Sequence, residues 1–158
     1  MERFNPELMQ MALDLARENV ESGNGGPFGA VVVRDGKVIA HAINEVIATD
    51  DPTAHAEILA IRRACKALGN YQLTGCEVYT SCEPCPMCMG AIYWARPDRV
   101  YYAATREDAA GSGFDDDHIY RECHLPVEKR TIPFVNVMRE EAIQVFRDWD
   151  NNGLDIKY

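Results

Sequence analysis

Four residues in this 158-residue chain have the types and spacings that could hold a metal ion and move protons. His55 and Glu57 stand in the run His55-Ala56-Glu57, and Cys85 and Cys88 in Pro84-Cys85-Pro86-Met87-Cys88. One imidazole and two thiolates are three ligands for zinc. A structural zinc site uses four, so three leave a position for water. Zinc lowers the pKa of that water towards about 7, giving hydroxide at neutral pH, and a carboxylate beside it can carry protons. Two other readings stay open. Cys82, Cys85 and Cys88 form CxxCxxC, and with His55 they would close a purely structural Cys3His site. Glu57 weighs against that, because a closed site has no use for a proton carrier. The six cysteines (65, 76, 82, 85, 88 and 123) are an even number and would also suit a disulfide framework. The opening Met1-Glu2-Arg3-Phe4 shows no basic segment followed by an apolar run. A reducing, cytoplasmic setting is therefore expected, in which close cysteines bind metal or act as catalysts.

These residues need elements to present them. His55 and Glu57, two apart, would lie roughly 200° apart around a helix. They can serve one site only if it sits off the helix N-terminus. Asp50-Asp51-Pro52-Thr53 precedes such a helix, Gly69 is its stop, and Ile58, Leu59, Ile61, Ala64, Cys65 and Leu68 form its buried face. Cys85 and Cys88 likewise begin a helix that runs from near Pro86 to before Pro97. Unpaired N–H groups and the positive dipole end there favour thiolate. Two helix N-termini would thus face a single zinc.

The rest of the chain obeys the same logic. Asn5-Pro6 reads as N-cap and first residue of a helix reaching about residue 21, with Leu8, Met9, Ala12, Leu13, Ala16 and Val20 at helical spacing. Ser22 to Pro27 breaks it. Phe28–Arg34 and Lys37–Asn44 are strands joined by an Asp35-Gly36 hairpin turn. Cys76–Ser81, Arg99–Ala103 and Phe134–Met138 are three further strands, and Glu140–Asp150 is a last helix. Arg106 to Gly113 is a candidate lid. Five strands alternating with helices give an α/β layered domain.

Composition narrows the function. A chain of this length fits one domain with a real core, and no apolar run approaches the ~20 residues that span a membrane. The net charge is −9 and the pI about 4.9, which opposes electrostatic binding of a polyanion. Residues 139–158 carry three basic and five acidic side chains, a net charge of −2 and a poor surface for tRNA.

The pattern H-x-E…P-C-x-x-C is the signature of zinc-dependent base deaminases. The resemblance extends further, to Gly25-Gly26-Pro27-Phe28-Gly29-Ala30, Asp51-Pro52-Thr53-Ala54-His55-Ala56-Glu57, Tyr79 to Cys88, Gly90 to Ala95 and Gly113-Phe114-Asp115-Asp116. On these stretches the chain resembles the small, zinc-type bacterial guanine deaminases of the cytidine deaminase-like superfamily, over nearly its whole length. The zinc motifs mark only the superfamily. The Phe-Asp-Asp stretch and the terminal Tyr158 point to guanine.

The resemblance implies a three-layer α/β/α sandwich on a mixed five-stranded sheet, as one deaminase domain over residues 1–158. It implies one zinc ion held by His55, Cys85 and Cys88, with Glu57 as proton shuttle and Cys82 just outside the ligand set. Phe28 would stack on a purine, Asn44 and the Ala56 N–H would bond to it, Asp116 would accept from the donor edge of guanine, and Tyr158 would close the pocket. A homodimer is implied, with Tyr158 able to act on the partner subunit. The expected reaction is hydrolysis of guanine to xanthine and ammonia, a step of purine catabolism or salvage. A carboxylate suits guanine's N1–H and 2-amino donors and repels the N1 acceptor of adenine. A deaminase of guanosine or another aminated heterocycle, a tRNA adenosine deaminase, and a non-enzymatic zinc module remain as alternatives.

Overall fold

The computed structural model describes residues 4–153 and residue 156. The first helix, α1 (Pro6–Ser22), begins where Asn5 caps it, its side-chain oxygen accepting from the Glu7 N–H. The buried face of α1 holds Met9, Ala12, Ala16 and Asn19, whereas Val20, expected inside, is 52% exposed. A hairpin comes next: β1 (Gly29–Arg34) and β2 (Lys37–Ile43) run antiparallel, turning on Asp35 and Gly36, both at positive φ as such a tight turn demands.

A single helical turn, α2 (Val46–Thr49), leads to α3 (Ala56–Leu68), which stops at Gly69 in the left-handed conformation. Then come β3 (Cys76–Cys82), α4 (Pro86–Ala95) and β4 (Arg99–Ala104). The sheet order is β2-β1-β3-β4, with β1 antiparallel to β2 and β3, and β3 parallel to β4. The stretch read as a candidate lid is helical as α5 (Arg106–Gly111), closed at its start by a reciprocal Thr105–Asp108 capping box. The chain divides into two compact units at the Asp116/Asp117 junction. The second contains α6 (Asp117–His124), a 3-10 turn (Val127–Lys129) and α7 (Arg139–Asn151).

Side-chain alternation along β1 builds the three layers of the first unit. Val31 and Val33 pack with Tyr79 against Met9 and Ala12 of α1. Ala30 and Val32 face the other way, into a cluster with Ala56, Ala60, Ile61 and Ala64 of α3 and Ala95 of α4. The approach of α1 to the sheet is closest at Gly29, where a Cβ would stand 2.4 Å from the Ala12 carbonyl oxygen.

The expected sheet of five strands is corrected to four. Residues 133–138 join no ladder among the described residues. A strand exists only by pairing. This segment instead exposes Phe134, Val135, Val137 and Met138, each more than half accessible. No helix among the described residues is long and apolar enough to cross a membrane.

Candidate active site

The chemistry-bearing residues gather at one end of the sheet. Gly29 opens β1 opposite Ile43 at the end of β2, Ala30 pairs with Thr80 near the end of β3, and Cys82 pairs with Ala104 at the end of β4. Phe28, Asn44, the cysteine turn and Thr105 therefore leave the sheet together, at the carboxyl ends of three strands and the start of the fourth. Sites in α/β sheets form at such ends because several loops converge there.

Local rules shape the histidine turn. Asp51 Oδ1 accepts from both the N–H and the hydroxyl of Thr53, at 2.8 and 2.7 Å, which folds the chain before α3. His55 is then the extended N-cap residue, and its carbonyl accepts the first helical bond from the Leu59 N–H at 3.0 Å. Its ring does not cap the helix and stays free for another partner. Glu57 falls in the first turn, 5% exposed. Cys85 repeats the arrangement on α4, as an extended N-cap residue followed by Pro86 at the first helical position, with Cys88 buried in the first turn. Both expected helix N-termini are there, and both present their side chains outward from the helix end.

Those side chains converge. His55 Nδ1 lies 3.6 Å from Cys85 Sγ and 3.5 Å from Cys88 Sγ, and the three donor atoms all fall within 4.8 Å of one another. Tetrahedral zinc, with bonds of about 2.3 Å to sulfur and about 2.0–2.1 Å to nitrogen, separates such a pair by about 3.5 Å. The donor set fits one zinc ion in both type and spacing.

Electrostatics at the donors reflect their closeness. The Cys85 thiol is drawn down to about 4, chiefly by a hydrogen bond from Cys88 and then by His55. Cys88 is pushed up by that same bond and by burial, while His55 is raised by its bond to Cys85. The neighbours of Cys85 thus favour its thiolate, the form that binds metal. Glu57 is raised above the ordinary carboxylate value, first by burial and then by the Cys85 charge, and it shares a hydrogen bond with Cys88. A carboxyl so placed exchanges protons more readily near neutral pH than an exposed one.

Cys82 stands apart. Its Sγ lies 3.6 Å from the Thr105 carbonyl oxygen, and burial, reinforced by the Glu57 charge, pushes its thiol up to about 11. It is not in the donor group, so the closed Cys3His reading has no support in this geometry. All six cysteines are free thiols, which removes the disulfide framework.

The residues expected to contact substrate have the following surroundings. Asn44, buried, has its N–H bonded to the Phe28 carbonyl at 3.0 Å, while the next residue, Glu45, donates to Ala54 O at 2.9 Å beside His55. Asn44 Oδ1 accepts from the Val46 N–H at 3.3 Å. Half-buried Phe28 meets Phe114 edge to face, ring centroids 5.0 Å apart. Ala56, fully buried, opens α3 with its N–H beyond reach of any helical carbonyl. Of the aspartates in Asp115-Asp116-Asp117, Asp116 is raised by burial and then by the Cys85 charge. Tyr158 lies outside the described residues.

Sequence reasoning missed two contributors. Phe114 was legible only as part of a shared stretch. Asn19 carried no signal beyond a polar residue on an amphipathic helix, yet it is 1% exposed and its Nδ2 donates to Gly26 O at 2.8 Å and Asn44 O at 2.9 Å. It ties α1 to the loops that carry Gly26 and Asn44. Gly25 packs so tightly there that a Cβ would lie 2.4 Å from the Asn44 carbonyl oxygen.

Comparison with known proteins agrees with this geometry. Residues 3–104 match the family described as the cytidine and deoxycytidylate deaminase zinc-binding region. A guanine deaminase of Bacillus subtilis is 58% identical over 143 residues, which are 90% of this chain and 92% of that protein. The crystal structure of guanine deaminase from Bacillus subtilis superposes with a TM-score of 0.94 at 55% identity, covering 98% of this chain and 99% of the other. A tRNA-specific adenosine deaminase of Agrobacterium fabrum is 49% identical over 96 residues, 61% of this chain and 62% of that protein.

Proposed function

We propose that this chain, which belongs to the cytidine and deoxycytidylate deaminase zinc-binding family, is a hydrolytic guanine deaminase. The observation that carries this reading is the extent of its likeness to guanine deaminase. That likeness spans 90% of the chain, whereas the family match ends at residue 104, before Phe114 and Asp116.

His55, Cys85 and Cys88 would hold one zinc ion, which when bound supplies Lewis acidity and lowers the pKa of an adjacent water. Phe28 stacks on the purine, with Phe114 supporting its ring. Asn44 and the Ala56 N–H hydrogen-bond to the purine, and Asp116 accepts from N1–H and the 2-amino group. Glu57 takes a proton from water as the water oxygen adds to C2, and delivers that proton to N3. It then moves the remaining hydroxyl proton to the exocyclic nitrogen as the C2–N bond breaks. Xanthine and ammonia leave, and Glu57 returns to its starting state. One carboxyl alternates as base and acid, a duty that its raised pKa suits.

The reading extends to a cytoplasmic, single-domain homodimer in which the C-terminal tail closes the partner's pocket with Tyr158. Two features support it. Ile132, Phe134, Val135, Val137 and Met138 expose apolar side chains in one segment, and β4 is an edge strand with one side unpaired among the described residues.

The test is a substrate panel with purified, zinc-loaded protein: guanine, guanosine, cytidine, adenosine and tRNA, scoring ammonia and the deaminated product. Xanthine from guanine alone, lost on chelation, is the expected result. Turnover of a nucleoside or of tRNA would keep the zinc chemistry and overturn the roles given to Asp116 and Tyr158. No turnover of any of them would overturn the reading.

A further inference from the structure

Three hydrogen bonds fasten the cysteine turn to the end of β4. The Cys82 thiol donates to Thr105 O at 3.6 Å, the Glu83 N–H donates to Ala104 O at 2.9 Å, and the Glu83 carboxylate accepts from the Arg106 N–H at 3.1 Å. The third differs in kind. It is made by a charged side chain, and it reaches the first residue of α5. Charge-assisted bonds of this sort are stronger than neutral ones, and a carboxylate is favoured at a helix N-terminus.

The segment beyond α5 gives that bond its meaning. Six residues are too few to hold a helix unaided, so the place of α5 depends on the groups that grip its ends. Its far end is gripped by its own continuation, since Gly113 N–H donates to Ala110 O and Phe114 N–H to Ala109 O, both at 3.0 Å. Phe114 then abuts Phe28, and Asp116 comes two residues later. A continuous path runs from the cysteine turn through Glu83 and α5 to both groups.

We propose that Glu83 is a positioning residue: it couples the turn that carries Cys85 to α5, and through α5 it sets the place of Phe114 and Asp116 against the substrate. Its kinetic consequence rests on the reading of the chain as a guanine deaminase, and its structural consequence does not. Glu83 precedes Cys85 by two residues yet lies outside the donor group. Removing its carboxylate leaves the three donors in place and loosens the chain from Arg106 onward.

The test compares full-length, zinc-loaded wild type with Glu83→Ala and Glu83→Gln. Zinc content, amide hydrogen exchange over residues 105–114, and KM and kcat on guanine are measured on each. The Ala variant is expected to keep one zinc per chain and to exchange its Arg106, Gly113 and Phe114 amides about tenfold faster. Its KM should rise about tenfold while kcat moves less than about threefold. The Gln variant keeps an oxygen acceptor and returns exchange and KM to within about threefold of wild type. The proposal is overturned if the Ala variant shows wild-type exchange or wild-type KM, if it loses zinc or does not fold, or if Gln is as impaired as Ala. Should wild type fail to turn over guanine, the functional reading falls and exchange alone judges Glu83. Faster exchange in Ala but not in Gln would then support the coupling, and equal exchange in all three would overturn it.

Discussion

The rings of Phe28 and Phe114 stand perpendicular, 87° between planes and 5.0 Å between centroids. Such an edge-to-face pair adds about 0.5–1.5 kcal/mol beyond the area it buries. It also fixes the angle of Phe28, which would stack on the purine. Phe28→Ala should raise KM for guanine about tenfold or more, because base–aromatic stacking contributes about 1–3 kcal/mol. Phe114→Leu should have a smaller effect in the same direction. Steady-state kinetics on both variants check this, and a wild-type KM for Phe28→Ala would remove the stacking role.

Glu57 is proposed to carry the proton traffic. Replacing it with Gln keeps size and burial but removes the titrating oxygen. General acid–base catalysis contributes about 10²–10⁴-fold, so kcat should fall by at least about a hundredfold while zinc content stays at one per chain. Residual activity within about tenfold of wild type would assign the proton transfers to another group.

Asp116 is predicted to read the donor edge of guanine. Asp116→Asn places an amide N–H₂ or a weaker acceptor opposite two donors. A buried mismatch of this kind costs about 1–3 kcal/mol, so kcat/KM on guanine should fall about ten- to a hundredfold. The same substitution at Asp115 should change it less than about threefold. Equal losses at both positions would contradict the assignment.

Cys82 lies beside the metal centre without joining it. Cys82→Ser keeps a donor for the Thr105 carbonyl, so zinc content should be unchanged. In the cobalt-substituted protein the sulfur-to-metal charge-transfer band should keep the intensity of two thiolates. A band reduced by a third in the variant would mean that wild type uses three.

Tyr79 makes an alkaline prediction. Its hydroxyl donates to Glu77 Oε2 at 3.1 Å and accepts from the Asn5 N–H at 3.4 Å, and burial pushes its phenol up to about 12 from an ordinary 10. The folded state therefore holds this proton more tightly than the unfolded chain does. That contribution is fully present below pH 10 and is lost as pH rises towards 12. The urea midpoint should fall across that interval, and Tyr79→Phe should flatten the fall. An unchanged slope in the variant would place the alkaline sensitivity elsewhere.

The metal centre was the most legible part of the sequence, because ligand spacing and helix-start signals are local. Asn5-Pro6, Asp51 to Thr53 and Pro86 each announce a helix within a few residues, and the structure starts its helices there. The strand expected at 134–138 failed for the opposite reason. Four apolar residues, Phe134, Val135, Val137 and Met138, describe a willingness to pair, and local sequence does not say whether a partner strand is there. α5 was missed because Ala109, Ala110 and Gly111 give no apolar period; its start is fixed by the Thr105–Asp108 box and by Glu83, which is 23 residues from the N–H it binds. Asn19 was illegible because its reason for burial is two carbonyls contributed by other loops.

The narrow gap between α1 and the sheet makes position 29 a point of almost no mutational tolerance. A single added methyl group would press on the Ala12 carbonyl at 2.4 Å and on the Leu15 Cβ at 2.8 Å, and neither helix backbone nor Cβ can swing aside. Because Gly29 is bonded directly to Phe28, a strand pushed back from the helix would displace the ring proposed to stack on the purine. In a randomised library screened only for turnover, glycine would be recovered at this position. The survivors would thereby report how closely a helix that contributes no donor and no proton approaches the sheet.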